Sequence, residues 1–196
     1  MQTNEYIKNY YKSSSLLEHV KQVERFSAEI LKKIVEIKEF EYLKNATKLL
    51  STGSILHDIG NLIQEEIGGK HNKIGAKLIL ENGIEGFNSE ETKIIACLVR
   101  YHRGKKPKEK HKIFSSLNES SKEVVKGLSG ILQIADMLDF EHFCLVEKIE
   151  ICFNTENNIF EIKTIPEISK INDFEKIFEK KSALFQEFFE VELKIV

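Results

Sequence analysis

From Leu16 to about residue 142, apolar residues recur at three- and four-residue steps; beyond that point they alternate with polar ones. The first spacing is that of amphipathic helices and the second that of half-buried strands, so one chain carries two kinds of structure in series. Leu16, Leu17, Val20, Val23, Phe26, Ile30, Leu31 and Ile34 line the first helix, with the run Ser13–Ser15 offering capping residues. Phe40, Leu43, Ala46, Leu49, Leu50 and Ile55 give a second helix ending near "HDIGN", and a third runs from about His71 through "KIGAKLIL" to "NG". The fourth, "NSEETKIIACLVRYH", opens on cap residues and early acids. The fifth is "SSKEVVKGLSGILQIADMLDF", with Ser120 and Ser121 as caps. Its Gly127 and Gly130 each cost about 1 kcal/mol relative to alanine, which points to close packing against a neighbour.

After these helices, "KIEICFN" and "NIFEIKT" flank "TENN" as a hairpin. A helix containing Phe174, Ile177, Phe178, Leu184, Phe185 and Phe188 follows, and "VELKIV" closes as a third strand. The expected fold is mainly α: a helical bundle over residues 1–145, then a small α+β extension over 146–196 (hairpin, helix, closing strand) packed on it. A chain of 196 residues is long enough for one substantial core.

A net charge of -2 gives no bulk attraction to duplex nucleic acid or to an anionic membrane. "MQTNEYIKNYYKSSS" has no apolar signal core and no later stretch is long enough to span a bilayer, so a cytoplasmic protein is expected. Cys97, Cys144 and Cys152 are odd in number, widely spaced and without a CxxC pair, which argues against a thiolate zinc knot or a disulfide framework and fits core filling. Neither a serine nucleophile elbow nor a phosphate-binding P-loop is present.

The polar residues that break the apolar stripes are more informative. His19 lies in the register of the first helix, His57 and Asp58 end the second, and His71 opens the third. His102 ends the fourth stripe, and Asp136 interrupts the fifth. Each helix thus delivers an imidazole or a carboxylate near an end or on its buried side, and metal sites in bundles are built from such facing helices. A single histidine of this kind is usually an ordinary core or surface residue; the weight lies in the ordered set. His111, in the lysine-rich "KEKHKIF", reads as a loop residue, and His142 as a supporting or exposed one.

The order His19, His57-Asp58, His71, His102, Asp136 resembles the HD superfamily of metal-dependent phosphohydrolases. The longer strings "EHVKQVERFSAEIL", "LHDIGNLI", "HNKIGAKLIL", "GFNSEETKIIACLVRYHRGKKPK" and "LSGILQIADMLD" are similar to the C-terminal HD region of the exopolyphosphatase/guanosine pentaphosphatase (Ppx/GppA) family. The likeness runs from about residue 13 to the end, without that family's N-terminal actin-like ATPase-fold domains, which carry its polyphosphatase site. Gln133 stands where the family often has arginine.

The resemblance implies an HD-domain bundle that hydrolyses a phosphoester or phosphoanhydride bond, through a metal-bound hydroxide, in a nucleotide or polyphosphate-like substrate. Its metal ligands would be His19, His57, Asp58, His71, His102 and Asp136, with Asp58 and His57 at the catalytic centre. Asp58 has two oxygens and can bridge two ions, with His19, His57 and Asp136 on one and His71 and His102 on the other. Imidazole and carboxylate donors suit Mn, Fe, Co, Ni or Zn better than Ca, and leave Mg open. A cation beside Asp58 also explains why a chain would bury His57 next to a carboxylate, and Gly60 would then let the backbone turn away tightly. Arg103 and Lys106 directly follow His102 and are the expected phosphate binders, whereas the far end of "RYHRGKKPKEKHK" reads as a solvated loop. A cyclic-dinucleotide phosphodiesterase is a weaker enzyme reading, because the Gly-Tyr-Pro signature is missing; dinucleoside polyphosphate hydrolysis stays open. The reading from another class is a non-catalytic nucleotide-binding or regulatory HD module. No partner beyond a small phosphorylated substrate is implied, and a homodimer stays open.

Overall fold

A computed structural model describes residues 14–37, 40–168 and 173–196. The protein is mainly α with a small α+β tail. Its elements are α1 (Ser14–Ile37), α2 (Glu41–Lys44), α3 (Thr47–Leu56), α4 (Asn61–Ile67), α5 (His71–Asn82), α6 (Ser89–Tyr101), α7 (Lys112–Ser115), α8 (Glu119–Met137), β1 (Lys148–Asn154), β2 (Ile159–Ile165), α9 (Phe174–Phe189) and β3 (Glu192–Ile195). Ser13, the first of the expected caps of α1, lies outside the described residues.

Helix α8 is the axis of the molecule. It packs against α9, α1 and α6, and fifteen of its residues, from Ser121 to Met137, are buried. Its two glycines are there for proximity. A methyl group on Gly127 would come within 2.8 Å of the Phe188 ring, and one on Gly130 within 3.1 Å of the Phe185 backbone. The main core gathers Val23, Phe26, Ile30 and Ile34 from α1, Leu128, Ile131 and Leu132 from α8, and Phe185 and Phe189 from α9. The inner faces of the strands join it through Ile149, Phe160, Ile162 and Leu193. A second, smaller cluster (Leu56, Ile59, Ala76, Ile79, Ile95, Ala96, Val99) locks the end of α3 to α5 and α6. The sheet has the order β1-β2-β3: β1 and β2 form the antiparallel hairpin, with Ile151 opposite Ile162, and α9 carries the chain back so that β3 runs parallel to β2.

Three local expectations differ from what is found. The helix expected around Leu43–Ile55 is split at Asn45 and Ala46 into α2 and α3. Asparagine competes poorly for a helical interior, because its side chain favours turns. Helix α4 had no counterpart in the apolar spacing, and none of its residues is buried, so it left no stripe to read. The cap of α8 is Asn118, whose side-chain oxygen accepts from the Ser121 amide; Ser120 and Ser121 lie inside the helix. The fourth helix fits its reading more closely, with Asn88 and Glu91 forming a reciprocal capping box at the start of α6.

Candidate metal centre

Helix ends converge on one point. His57 is the C-cap of α3, with Asp58 next to it; His71 is the first residue of α5; His102 is the C-cap of α6; and Asp136 lies one residue from the end of α8. His19 enters from the first turns of α1, where it is fully buried in register with Val20 and Val23. A C-cap histidine can satisfy one of the orphan carbonyls of its own last turn. His57 does this with Nδ1, 2.6 Å from the Ser54 carbonyl oxygen, and His102 repeats it with Nδ1 at 2.7 Å from the Val99 carbonyl oxygen. A carbonyl can only accept, so Nδ1 carries the proton in both rings. In the neutral form of each ring the Nε2 lone pair then points inward. His19 is oriented by another route: Nδ1 lies 2.7 Å from Asp139 Oδ2 and donates to it, which again leaves Nε2 facing the centre.

The inward nitrogens meet in two pairs. His19 Nε2 and His57 Nε2 are 3.1 Å apart, and so are His71 Nε2 and His102 Nε2. In the first pair, two neutral imidazoles with lone pairs turned toward each other repel unless a cation or proton lies between them; in the second, His71 Nε2 can instead donate to Asp58 Oδ1 at 3.1 Å. The spacing is compatible with two bonds of about 2.0–2.1 Å to one cation. Asp58 stands between the pairs. Its Oδ1 is 3.1 Å from His71 Nε2 and 3.4 Å from His102 Nε2, while Oδ2 is 3.8 Å from His57 Nε2. Asp136 Oδ1 is 3.7 Å from both His19 Nε2 and His57 Nε2. Among the described residues, three groups consequently have donor atoms close enough to hold an ion: His19, His57 and Asp58; Asp58, His71 and His102; and His19, Asp136 and His142. The donor set fits a divalent cation.

The electrostatics favour ionised Asp58 and Asp136 and a neutral His102. Burial works to push the Asp58 carboxyl up, but His57, His71 and His102 outweigh it and hold the group well below the usual carboxylate range. Burial likewise opposes ionisation of Asp136, and the Lys181 ammonium, with His57 and His102, overrides it and keeps the carboxyl low. Burial, reinforced by His57, pushes His102 down to about 3, so its ring is neutral near pH 7.

All six residues expected as ligands thus meet in one cluster. Of the two expected phosphate binders, Arg103 lines the cavity of about 260 Å³ that opens onto Asp58, His71, His102 and Asp136. Lys106 is instead ion-paired with Glu187 on α9 and is not among the residues lining that cavity. His111 stays away from the cluster; its Nδ1 meets the Tyr101 hydroxyl at 2.9 Å. Gly60 has a different task from the one expected. Its φ of -67° is ordinary right-handed backbone, but a methyl group there would overlap the His71 carbonyl oxygen and come within 2.7 Å of the Gly75 nitrogen. Glycine at position 60 lets α5 start against the HD turn, and that contact brings His71 to Asp58.

Sequence reasoning missed two supporting residues and left a third open. Asp139, three residues after Asp136, holds His19 and also accepts the Cys144 amide at 2.7 Å; its spacing was a legible signal. Lys181, on α9, forms a buried ion pair with Asp136, and nothing in local spacing announces it. His142 stacks on His19 with ring centroids 3.7 Å apart and lines the cavity. Gln133 is buried and donates from Nε2 to the carbonyls of Tyr101 (2.8 Å) and Lys105 (3.1 Å), which pins the loop after His102. Of the cysteines only Cys97 is core filler; Cys144 is half-buried beside Asp139, and Cys152 is exposed.

A helical domain whose helix ends gather histidine and aspartate donors able to hold a metal ion is the class that fold and site define. Residues 6–176 match the family model described as Ppx/GppA phosphatase, domain III, and the chain belongs to that family. No curated protein matches the chain. Among the described residues no helix is long and apolar enough to cross a membrane.

Proposed function

We propose that this protein is a metal-dependent phosphohydrolase that cleaves a phosphoester or phosphoanhydride bond in a nucleotide or polyphosphate-like substrate. The observation that carries the reading is Asp58 set between two histidine pairs, each with its nitrogens 3.1 Å apart. His19, His57 and Asp136 would hold one divalent ion, His71 and His102 a second, and Asp58 would contribute to both. Mn, Fe, Co, Ni or Zn suit these donors, with Mg open. When bound, such ions supply Lewis acidity that activates water and polarises a phosphoryl oxygen.

The chain's own residues do the rest. Asp139 and the carbonyls of Ser54 and Val99 fix the tautomers of His19, His57 and His102, so that the ligands need no proton rearrangement. Arg103, at the mouth, offers a planar fork to phosphate oxygens. Phe140 and Ile177 form apolar parts of the cavity wall, where they restrict water around the reacting group. The reading is tested by measuring metal content after purification without added metal, together with hydrolysis of p-nitrophenyl phosphate and of a nucleoside triphosphate across a series of divalent ions. Protein that retains metal and hydrolyses neither compound under any ion would overturn it in favour of a binding module.

A further inference from the structure

A second cleft, of about 450 Å³, adjoins the metal cavity and shares Arg103 and Lys180 with it. Its remaining charged wall is Lys70, Lys73, Arg100 and Lys105, and among the described residues no carboxylate lines it. The floor is fixed by buried groups. Asn72 Nδ2 donates to the Arg100 carbonyl at 2.5 Å and ties α5 to the end of α6, and Gln133 holds the carbonyls of Tyr101 and Lys105 from the other side.

The state of these cations separates them from other lysines of the protein. Lys106 is paired with Glu187, Lys126 with Glu123, Lys148 with Glu150 and Lys194 with Glu192. Among the described residues, none of the six cations around the cleft has a carboxylate within ion-pair distance. Glu109, in the loop after Lys105, is itself engaged by Lys122 at 3.2 Å. Like charges held together without a counter-charge repel, and the repulsion is relieved when a multiply charged anion enters. The packing of Asn72 and Gln133 holds their backbones in place all the same.

We infer that Arg103 and Lys180 join the metal cavity to a second, metal-independent anion subsite, walled by Lys70, Lys73, Arg100 and Lys105, that takes a phosphate group of the substrate other than the one attacked. Its role as a substrate arm rests on the phosphohydrolase reading; the anion site itself does not. Two arginines in the wall favour phosphate, since guanidinium matches its oxygens in a two-pronged geometry. The shared residues give a single substrate a continuous cationic path from one cavity to the other.

The test is calorimetric titration of the full metal-free chain with tripolyphosphate at fixed low salt. Lys73 and Lys105 are exposed, so their replacement leaves the core intact. Lys73→Ala with Lys105→Ala is expected to weaken binding about ten- to a hundredfold, and Lys73→Arg with Lys105→Arg to retain it. A charge-matched control on the sheet, Lys148→Ala with Lys194→Ala, is expected to bind as the wild type does. Equal binding by the cleft variant, an equal loss in the sheet control, or no binding by the wild type would overturn the subsite. Hydrolysis of p-nitrophenyl phosphate and of a nucleoside triphosphate with added metal is measured separately. Its absence alongside cleft-dependent binding counts against the phosphohydrolase reading alone, and hydrolysis without cleft-dependent binding counts against the subsite alone.

Discussion

The two sides of Asp58 are built differently. On the inner side, His19 and His57 are wholly buried, and His19 and Asp136 lean on residues distant in sequence: Asp139 holds the ring of His19, and Lys181 from the tail pairs with Asp136. On the outer side, His71 is partly exposed and opens a helix, and His102 closes one. The outer side depends on how two helix ends are placed, above all on the close approach of α5 at Gly60; the inner side depends on charge and hydrogen bonding across the whole domain. Damage should therefore divide along this line.

Asp58→Ala is the one change expected to cross it. Both histidine pairs lose their shared carboxylate, so bound metal and hydrolysis should fall together, with activity down by at least about a thousandfold, some 4 kcal/mol of transition-state stabilisation. Elemental analysis beside a rate assay checks this, and circular dichroism checks that the helices persist. A variant that keeps its full metal content would show that Asp58 is not between the ions.

Gly60→Ala should break the outer side alone. The added methyl group pushes on the His71 carbonyl and the start of α5, an overpacking that costs about 1–3 kcal/mol. Metal held by His71 and His102 should be lost, and metal held by His19, His57 and Asp136 kept. Stoichiometric loss of all metal would mean the two sides are not separable. Asp139→Asn is the inner counterpart. The amide keeps the shape but loses the charge that favours a proton on His19 Nδ1, so metal affinity on that side should drop about ten- to a hundredfold with the outer side untouched.

These two variants also show how far the sequence could be read. The six candidate ligands were legible because each interrupts an apolar stripe or stands at its end, and the fold followed from the same stripes. Gly60 was visible as a residue but not its reason, which is a contact with a carbonyl eleven residues on. Lys181 lies 45 residues from Asp136, and that pairing exists only after α9 has docked on α8. The carbonyl partners of His57 and His102 are local, three residues back, yet they need the helix to end at those positions, and helix ends are the least legible part of a periodic pattern. The surroundings of the two expected phosphate binders were the least legible of all, since Arg103 and Lys106 are equivalent in the sequence and face different surroundings in the fold.

The pH dependence of the metal-free protein gives a smaller effect with a definite sign. His102 titrates at about 3 when folded, against 6.5 for the ordinary side chain. Between those values the unfolded chain takes up a proton on this ring that the folded chain refuses. Its contribution to stability is therefore complete above about pH 6.5 and is lost progressively as the pH falls toward 3. Asp58 and Asp136 act in the same direction lower down, because both are depressed in the fold: their contribution is present above the ordinary carboxylate range and is lost as they are forced to take up protons. Urea midpoints measured with a chelator from pH 8 to pH 4 should fall steadily below about pH 6.5. A flat profile would mean that His102 is not held neutral by burial.

Lys106→Ala should have the smallest effect and sharpen the comparison most finely. Arg103 and Lys106 lie three residues apart in one basic run, yet Arg103 faces the cavity while Lys106 is turned to Glu187. Both members of that pair are substantially exposed, at 40% and 66%, so water and salt screen it, and its loss should cost only about 0–1 kcal/mol of stability. Metal content and hydrolysis of p-nitrophenyl phosphate should remain at the wild-type level. Arg103→Ala, by contrast, should lower the specificity constant for a nucleoside triphosphate about tenfold or more, the worth of one charge-assisted contact. Assaying both variants on both compounds decides the matter. If Lys106→Ala loses as much as Arg103→Ala on the triphosphate, Lys106 must leave Glu187 when substrate arrives, and the outer side of Asp58 would then extend to α9.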